Sequence, residues 1–147
     1  MKFRTEIPTP EYPFHISYQD KLMLLGSCFS DHIGNFFQEM GFDTLSNPFG
    51  TLFNPVSIAT ALKMGLNTAM FDENYIDFFN EKWISYAHHG KFSHPDKKTF
   101  QQNISQCLNR AHDFLASADY LFLTFGTAYC YRLIERNLIV ANCHKIP

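Results

Sequence analysis

Residues 22–41 read Leu-Met-Leu-Leu-Gly-Ser-Cys-Phe-Ser-Asp-His-Ile-Gly-Asn-Phe-Phe-Gln-Glu-Met-Gly. The four apolar residues Leu22 to Leu25 suit a short buried strand, and Gly26 interrupts the run. Beyond it the period changes. Phe29, Ile33, Phe36, Phe37 and Met40 recur at helical spacing, which predicts an α-helix with those residues inward. Gly41 supplies a left-handed stop. Ser27 and Cys28 therefore fall at a strand-to-helix turn, where unpaired backbone N–H groups favour a thiolate, an alkoxide or an oxyanion. Capping of the helix by either residue is the plain structural alternative.

Working outward, residues 1–20 contain Pro8, Pro10 and Pro13 and suit an extended lead-in. Phe42 to Leu45 suits a second strand. Asn54-Pro55 is a helix start, since Asn caps and Pro fits the first helical position. Val56, Ala59 and Leu62 are expected on that helix's buried face, and Gly65 is expected to stop it. Residues 66–82 fit no clean period, and Trp83 to Ala87 suits a strand. A third helix begins near Pro95 or Asp96, with Phe100, Ile104, Cys107, Leu108, Ala111 and Leu115 on one face. Tyr120 to Phe125 is a near-continuous apolar run ended at Gly126, as in parallel strands covered on both faces. Two apolar runs around Glu135-Arg136-Asn137 predict a hairpin. Alternating strands and helices of this kind predict an α/β fold of three layers. Ligands collect at the carboxyl ends of such strands, so Gly26, Gly126 and the loop carrying Gly50 are expected to border one crevice.

Composition narrows the function. A chain of 147 residues is one domain by size and buries about two-thirds of its extended surface. Its net charge is −2 and its longest basic run is Lys97-Lys98, which gives nucleic acid no electrostatic purchase. The N-terminus has no apolar signal core and no run reaches membrane-spanning length, so the expectation is a soluble, cytoplasmic protein without membrane or nucleic-acid partners. The four cysteines never form C-x-x-C and are expected as free thiols, with Cys107 in the core. His88, His89, His94 and the Cys143-His144 pair match no zinc spacing. They are expected as surface-loop residues, and no metal or cofactor is expected.

Leu-Gly-Ser-Cys-Phe-Ser at 25–30 resembles the signature of the GSCFA family, placed within the SGNH (GDSL-like) hydrolase superfamily. Asn-Pro-Phe-Gly-Thr-Leu-Phe-Asn-Pro at 47–55, Thr-Phe-Gly-Thr-Ala-Tyr at 124–129 and Ala-Asn-Cys-His-Lys-Ile-Pro at 141–147 carry the resemblance along nearly the whole chain. It implies a flavodoxin-like three-layer α/β/α sandwich and hydrolysis of an acetyl or acyl ester on a small molecule or carbohydrate. Matching Gly26 to the glycine of the superfamily's Gly-Asp-Ser puts Cys28 on the nucleophile, and a shift of one residue puts Ser27 there. The second block implies Gly50 as an oxyanion donor, with Asn47 beside it in the pocket. The third block, Gly-x-Asn-Asp, falls on Gly126-Thr127-Ala128-Tyr129. Its asparagine is absent, leaving Thr127 or Asn142 as substitutes. The superfamily's Asp-x-x-His, which supplies the base, does not occur in this sequence. The expectation is therefore the N-terminal part of a family domain, C-terminally incomplete and impaired in turnover, with His144 either a stand-in base or, with Asn142 and Cys143, a residue that shapes the pocket or bonds loop backbone. The competing expectation is a non-catalytic fragment or binding module, whose open sheet edge would self-associate.

Overall fold

In a computed structural model of the protein, residues 7, 8 and 10–141 are described. Strands β1 (Lys21–Gly26), β2 (Asp43–Ser46), β3 (Ile76–Phe79), β4 (Lys82–Ser85), β5 (Tyr120–Thr124), β6 (Tyr131–Leu133) and β7 (Leu138–Val140) are interleaved with helices α1 (Cys28–Glu39), α2 (Pro55–Leu66) and α3 (Lys97–Leu115). The protein has an α/β fold. Its main sheet has the order β2-β1-β5, and both pairings are parallel. β1 is central, and Leu22 to Leu25 are sealed on both faces. The connection through α1 leads to one side of β1 and the long return through α2 and α3 leads to the other. Crossovers of one hand then place the helices on opposite faces.

Side-chain alternation agrees with that arrangement. Met23 and Leu25 join the main core with Ile58, Ala61 and Met64 of α2 and Phe100, Ile104 and Leu108 of α3. Leu24 faces α1, with its Cδ1 3.7 Å from where a Cβ on Gly34 would stand. The apolar stripe expected on α1 is only partly its inward face, with Ile33 and Phe37 half-buried and Phe37 near Phe122 of β5. Ser30 and Gly34 are buried, whereas Phe29, Phe36 and Met40 are 59%, 54% and 45% exposed. The cause is steric. A Cβ on Gly34 would overlap the Ser46 hydroxyl of β2, so α1 sits too close to the sheet for large side chains at the contact.

Other expectations shift in phase. Asn54 caps α2 by accepting from Ser57 N–H at 2.7 Å, as the Asn-Pro pair suggests. The buried positions are Ser57, Ile58, Ala61, Met64 and Gly65, while Val56 is exposed. Gly65 does not stop the helix. It packs against α3, 3.5 Å from Leu115 at the position a Cβ would take. The α3 stripe falls as expected, with Cys107 in the core.

The strand near Trp83 does not join the parallel sheet. β3 and β4 form a separate antiparallel hairpin, turned at Asn80 and Glu81 with φ of 48° and 61°, the left-handed pair that two-residue hairpin turns require. β6 and β7 form the hairpin expected around Arg136. The two hairpins share a small core of Ile84, Tyr86 and Val140. Arg136 clamps them by donating to the carbonyls of Asn74 and Ile76 at 3.0 and 2.9 Å and to the Asp77 carboxylate at 2.9 Å.

β5 pairs only with β1 among the described residues. Its Leu121 and Leu123 are 42% and 40% exposed, so this strand is not covered on both faces as its apolar run suggests. The lead-in lies against the sheet's N-terminal end, where Tyr18 stacks on Phe42 and Phe14 lies near Tyr120.

Candidate functional site

The carboxyl ends of β1 and β5 meet at the turn into α1. The parallel register sets Thr124 opposite Gly26, and Gly26 holds φ +140°. A Cβ on Gly26 would overlap the Thr124 carbonyl and stand 2.7 Å from Thr124 Oγ1. Glycine is thus required here both for backbone conformation and for space. Its absent side chain lets Ser27 N–H reach both the carbonyl and the hydroxyl of Thr124, each at 3.0 Å.

Thr124 is the hub of a hydroxyl cluster. Its Oγ1 lies 3.1 Å from Ser27 Oγ and 2.7 Å from Ser30 Oγ. That oxygen has two lone pairs and one proton, and Ser27 N–H occupies one lone pair. One serine therefore donates to Thr124 while the other accepts from it. Ser30 is sealed within the packing and Ser27 is half-buried. Among the described residues, no histidine or carboxylate bonds Ser27 Oγ.

Cys28 occupies the first helical position of α1 and is exposed as a free thiol. Ser27 stands at the N-cap with extended backbone but makes no side-chain cap. Ser30 N–H donates to Ser27 C=O at 2.9 Å, which leaves the N–H groups of Cys28 and Phe29 without a side-chain cap at the helix start, where the helix terminus favours negative charge. Farther along, Asp31 accepts from Thr51 Oγ1 at 3.0 Å, fastening α1 to the loop after β2.

That loop braces the site. Asn47, 2% exposed with φ +39°, accepts from Gly26 N–H at 2.8 Å and donates through Nδ2 to Ser27 C=O at 3.3 Å. Leu52 N–H donates to Gly26 C=O at 2.8 Å. Gly50 N–H donates to Asn47 C=O at 2.8 Å, while the N–H groups of Gly126 and Thr127 both donate to Phe53 C=O at 2.9 and 3.1 Å. The structure thus brings Gly26, Ser27, Asn47, Gly50, Gly126 and Thr127 to one end of the sheet, with the amides of Gly50, Gly126 and Thr127 engaged in the loop framework. Asn142 and His144 lie outside the described residues.

Thr124 and Ser30 were not singled out by sequence. Thr124 lies in the quoted 124–129 motif, but only pairing across 98 residues reveals that it faces Gly26. His88 is not a surface-loop residue. It is fully buried, with Nδ1 2.8 Å from Ser85 Oγ, among the rings of Phe49, Phe71 and Phe92. His89 packs beside Gly50, where a Cβ would overlap its own. No cluster of three or more metal-type ligands occurs among the described residues. No described helix is long and apolar enough to cross a membrane.

No curated protein and no solved structure matches this chain with significance. The sequence model of the GSCFA family matches residues 21–147, spanning every strand and helix described above. The chain belongs to the GSCFA family.

Proposed function

We propose that this chain carries the nucleophile-bearing part of an SGNH-type ester hydrolase, built as a three-layer α/β/α sandwich, and that Cys28 is its nucleophile. The observation that carries this reading is the exposed thiol on the first residue of α1, at the carboxyl end of the central parallel strand. Thiol sulfur is intrinsically strongly nucleophilic, whereas a serine hydroxyl needs an adjacent base. Ser27 Oγ instead belongs to the Thr124 cluster.

Cys28 Sγ, its proton lost to solvent, attacks the ester carbonyl to form a tetrahedral oxyanion, which collapses to a thioester as the bond to the alcohol oxygen breaks. The alcohol leaves with a proton from solvent. Water then hydrolyses the thioester, releasing the acid and restoring the thiol. With the Gly50 and Gly126 amides engaged elsewhere, the oxyanion falls to the N–H groups of Cys28 and Phe29 at the start of α1. The substrate class is an acetyl or acyl ester of a small molecule or carbohydrate, and no cofactor enters.

The test follows one turnover, which reads the nucleophile directly. Incubation with p-nitrophenyl acetate, followed by intact mass and peptide mapping, should place one acetyl group on Cys28. The adduct should vanish in Cys28→Ala and persist in Ser27→Ala. Cys107 should stay unmodified, because burial pushes its thiol up to about 12. Absence of an adduct on the 26–30 peptide, or its persistence in Cys28→Ala, overturns the proposal.

A further inference from the structure

Beside the loop that braces Gly26 lies a cavity of about 440 Å³. Three segments far apart in sequence build it: the end of β2 at 46–48, a 3-10 turn at 90–92, and α3. On α3 the lining residues Asn103, Gln106, Cys107 and Arg110 recur at the spacing of one helical face. Lys91 and Asn47 also line it.

The lining is electrostatically one-sided. It contains two cations, Lys91 and Arg110, and three carboxamides, with no carboxylate among its residues, in a chain of net charge −2. Neither cation has a carboxylate partner among the described residues, where the ion pairs are Lys21–Asp43 and Arg136–Asp77. The Lys91 ammonium rests 5.4 Å from the Phe92 ring centroid, and its Cε lies 3.3 Å from where a Cβ on Gly50 would stand. Its stem is thus held by packing, not by a counter-charge. Both cations act on the same point: each opposes the desolvation that raises the Cys107 thiol. The Cys107 S–H donates to Pro48 C=O at 3.2 Å, which ties α3 to the loop.

We infer that this cavity binds a small anion bearing a phosphate or carboxylate group, held by Lys91 and Arg110 with amide donors from Asn103 and Gln106. Arg supplies a planar fork for two oxygens and Lys a point charge. The carboxamides are neutral donors that fix orientation. The pocket is separate from the thiol at Cys28, and its occupancy does not depend on any hydrolase activity.

The test is a ¹⁵N-resolved NMR titration of the full chain at low ionic strength. One arm uses orthophosphate, a second uses succinate, and sodium chloride at matched ionic strength is the control. Saturable shifts at Asn47, Lys91, Asn103, Gln106 and Arg110, with a dissociation constant of about a millimolar or tighter, are expected in at least one arm. The arm that saturates identifies the anion class. Arg110→Gln and Lys91→Gln should each weaken binding about tenfold. Both side chains are exposed, so an unchanged circular dichroism spectrum separates lost binding from lost fold. Shifts that track chloride, fail to saturate by about 10 mM, or survive both substitutions overturn the inference.

Discussion

Gly26→Ala probes the joint on which the candidate site rests. At φ +140° an alanine is strained, at a cost of about 1–3 kcal/mol. The new methyl also runs into Thr124, overlapping its carbonyl oxygen and standing 2.7 Å from its hydroxyl. Both atoms belong to the neighbouring strand, and the carbonyl cannot rotate away without disturbing the β1–β5 pairing. Overpacking of this kind costs about another 1–3 kcal/mol. The sum, about 2–6 kcal/mol, is a large share of a domain's total stability of about 5–15 kcal/mol. For a chain of this size it lowers Tm by about 5–20 °C. Two further glycines grade the argument. Gly41 has φ +93° but open space around its Cβ, so Gly41→Ala pays only the backbone term. Gly90 has neither a positive φ nor a neighbour within 4 Å, so Gly90→Ala is neutral or slightly stabilising, by up to about 1 kcal/mol. Thermal unfolding followed by circular dichroism measures all three. The ranking Gly26, Gly41, Gly90 is expected, and a Gly26→Ala transition within about 3 °C of the parent refutes the steric account of the turn.

At the start of α3, Asp96 accepts from Thr99 Oγ1 and Thr99 N–H at 2.7 and 2.8 Å. The hydroxyl bond, followed by the backbone bond, holds the carboxyl below its ordinary value. Its folded value lies below its unfolded one, so this contribution is complete above the ordinary carboxylate range and is lost as pH falls through the depressed value. Urea midpoints across the acid range should therefore fall less steeply in Asp96→Asn than in the parent, and identical slopes would refute the assignment. We also propose that copies of the chain pair along the open edge of β5, which carries no lysine, proline or charge within Tyr120–Thr124. Sedimentation velocity up to about 100 μM should show association that Leu121→Lys with Leu123→Lys abolishes, and a monomer throughout would end that proposal.

What local sequence determined is what depends on a few neighbouring residues. The Leu22–Leu25 run, the break at Gly26, the Asn54-Pro55 start and the α3 stripe each carry their signal within one or two turns, and each forms where that signal places it. Ser27 and Cys28 at the head of α1 follow from the same short-range pattern. Tertiary packing decided the rest. Hydrophobicity favours burial of Phe29, Phe36 and Met40, but the close approach of α1 to β2 buries Ser30 and Gly34 fully at the contact and leaves those three exposed. Trp83 lies on an apolar run that could have entered the parallel sheet, yet β4 pairs with β3 because a two-residue turn connects them. His88 looks like a loop residue in sequence and is enclosed by rings contributed from residues 49, 71 and 92. Thr124 meets Gly26, and Lys91 meets Arg110 across one cavity, only once the chain has closed on itself. Periodicity records which residues can form a helix or strand. Which face turns inward, and which distant side chains share a site, is set by the volume available between elements, and that is a property of the packed whole.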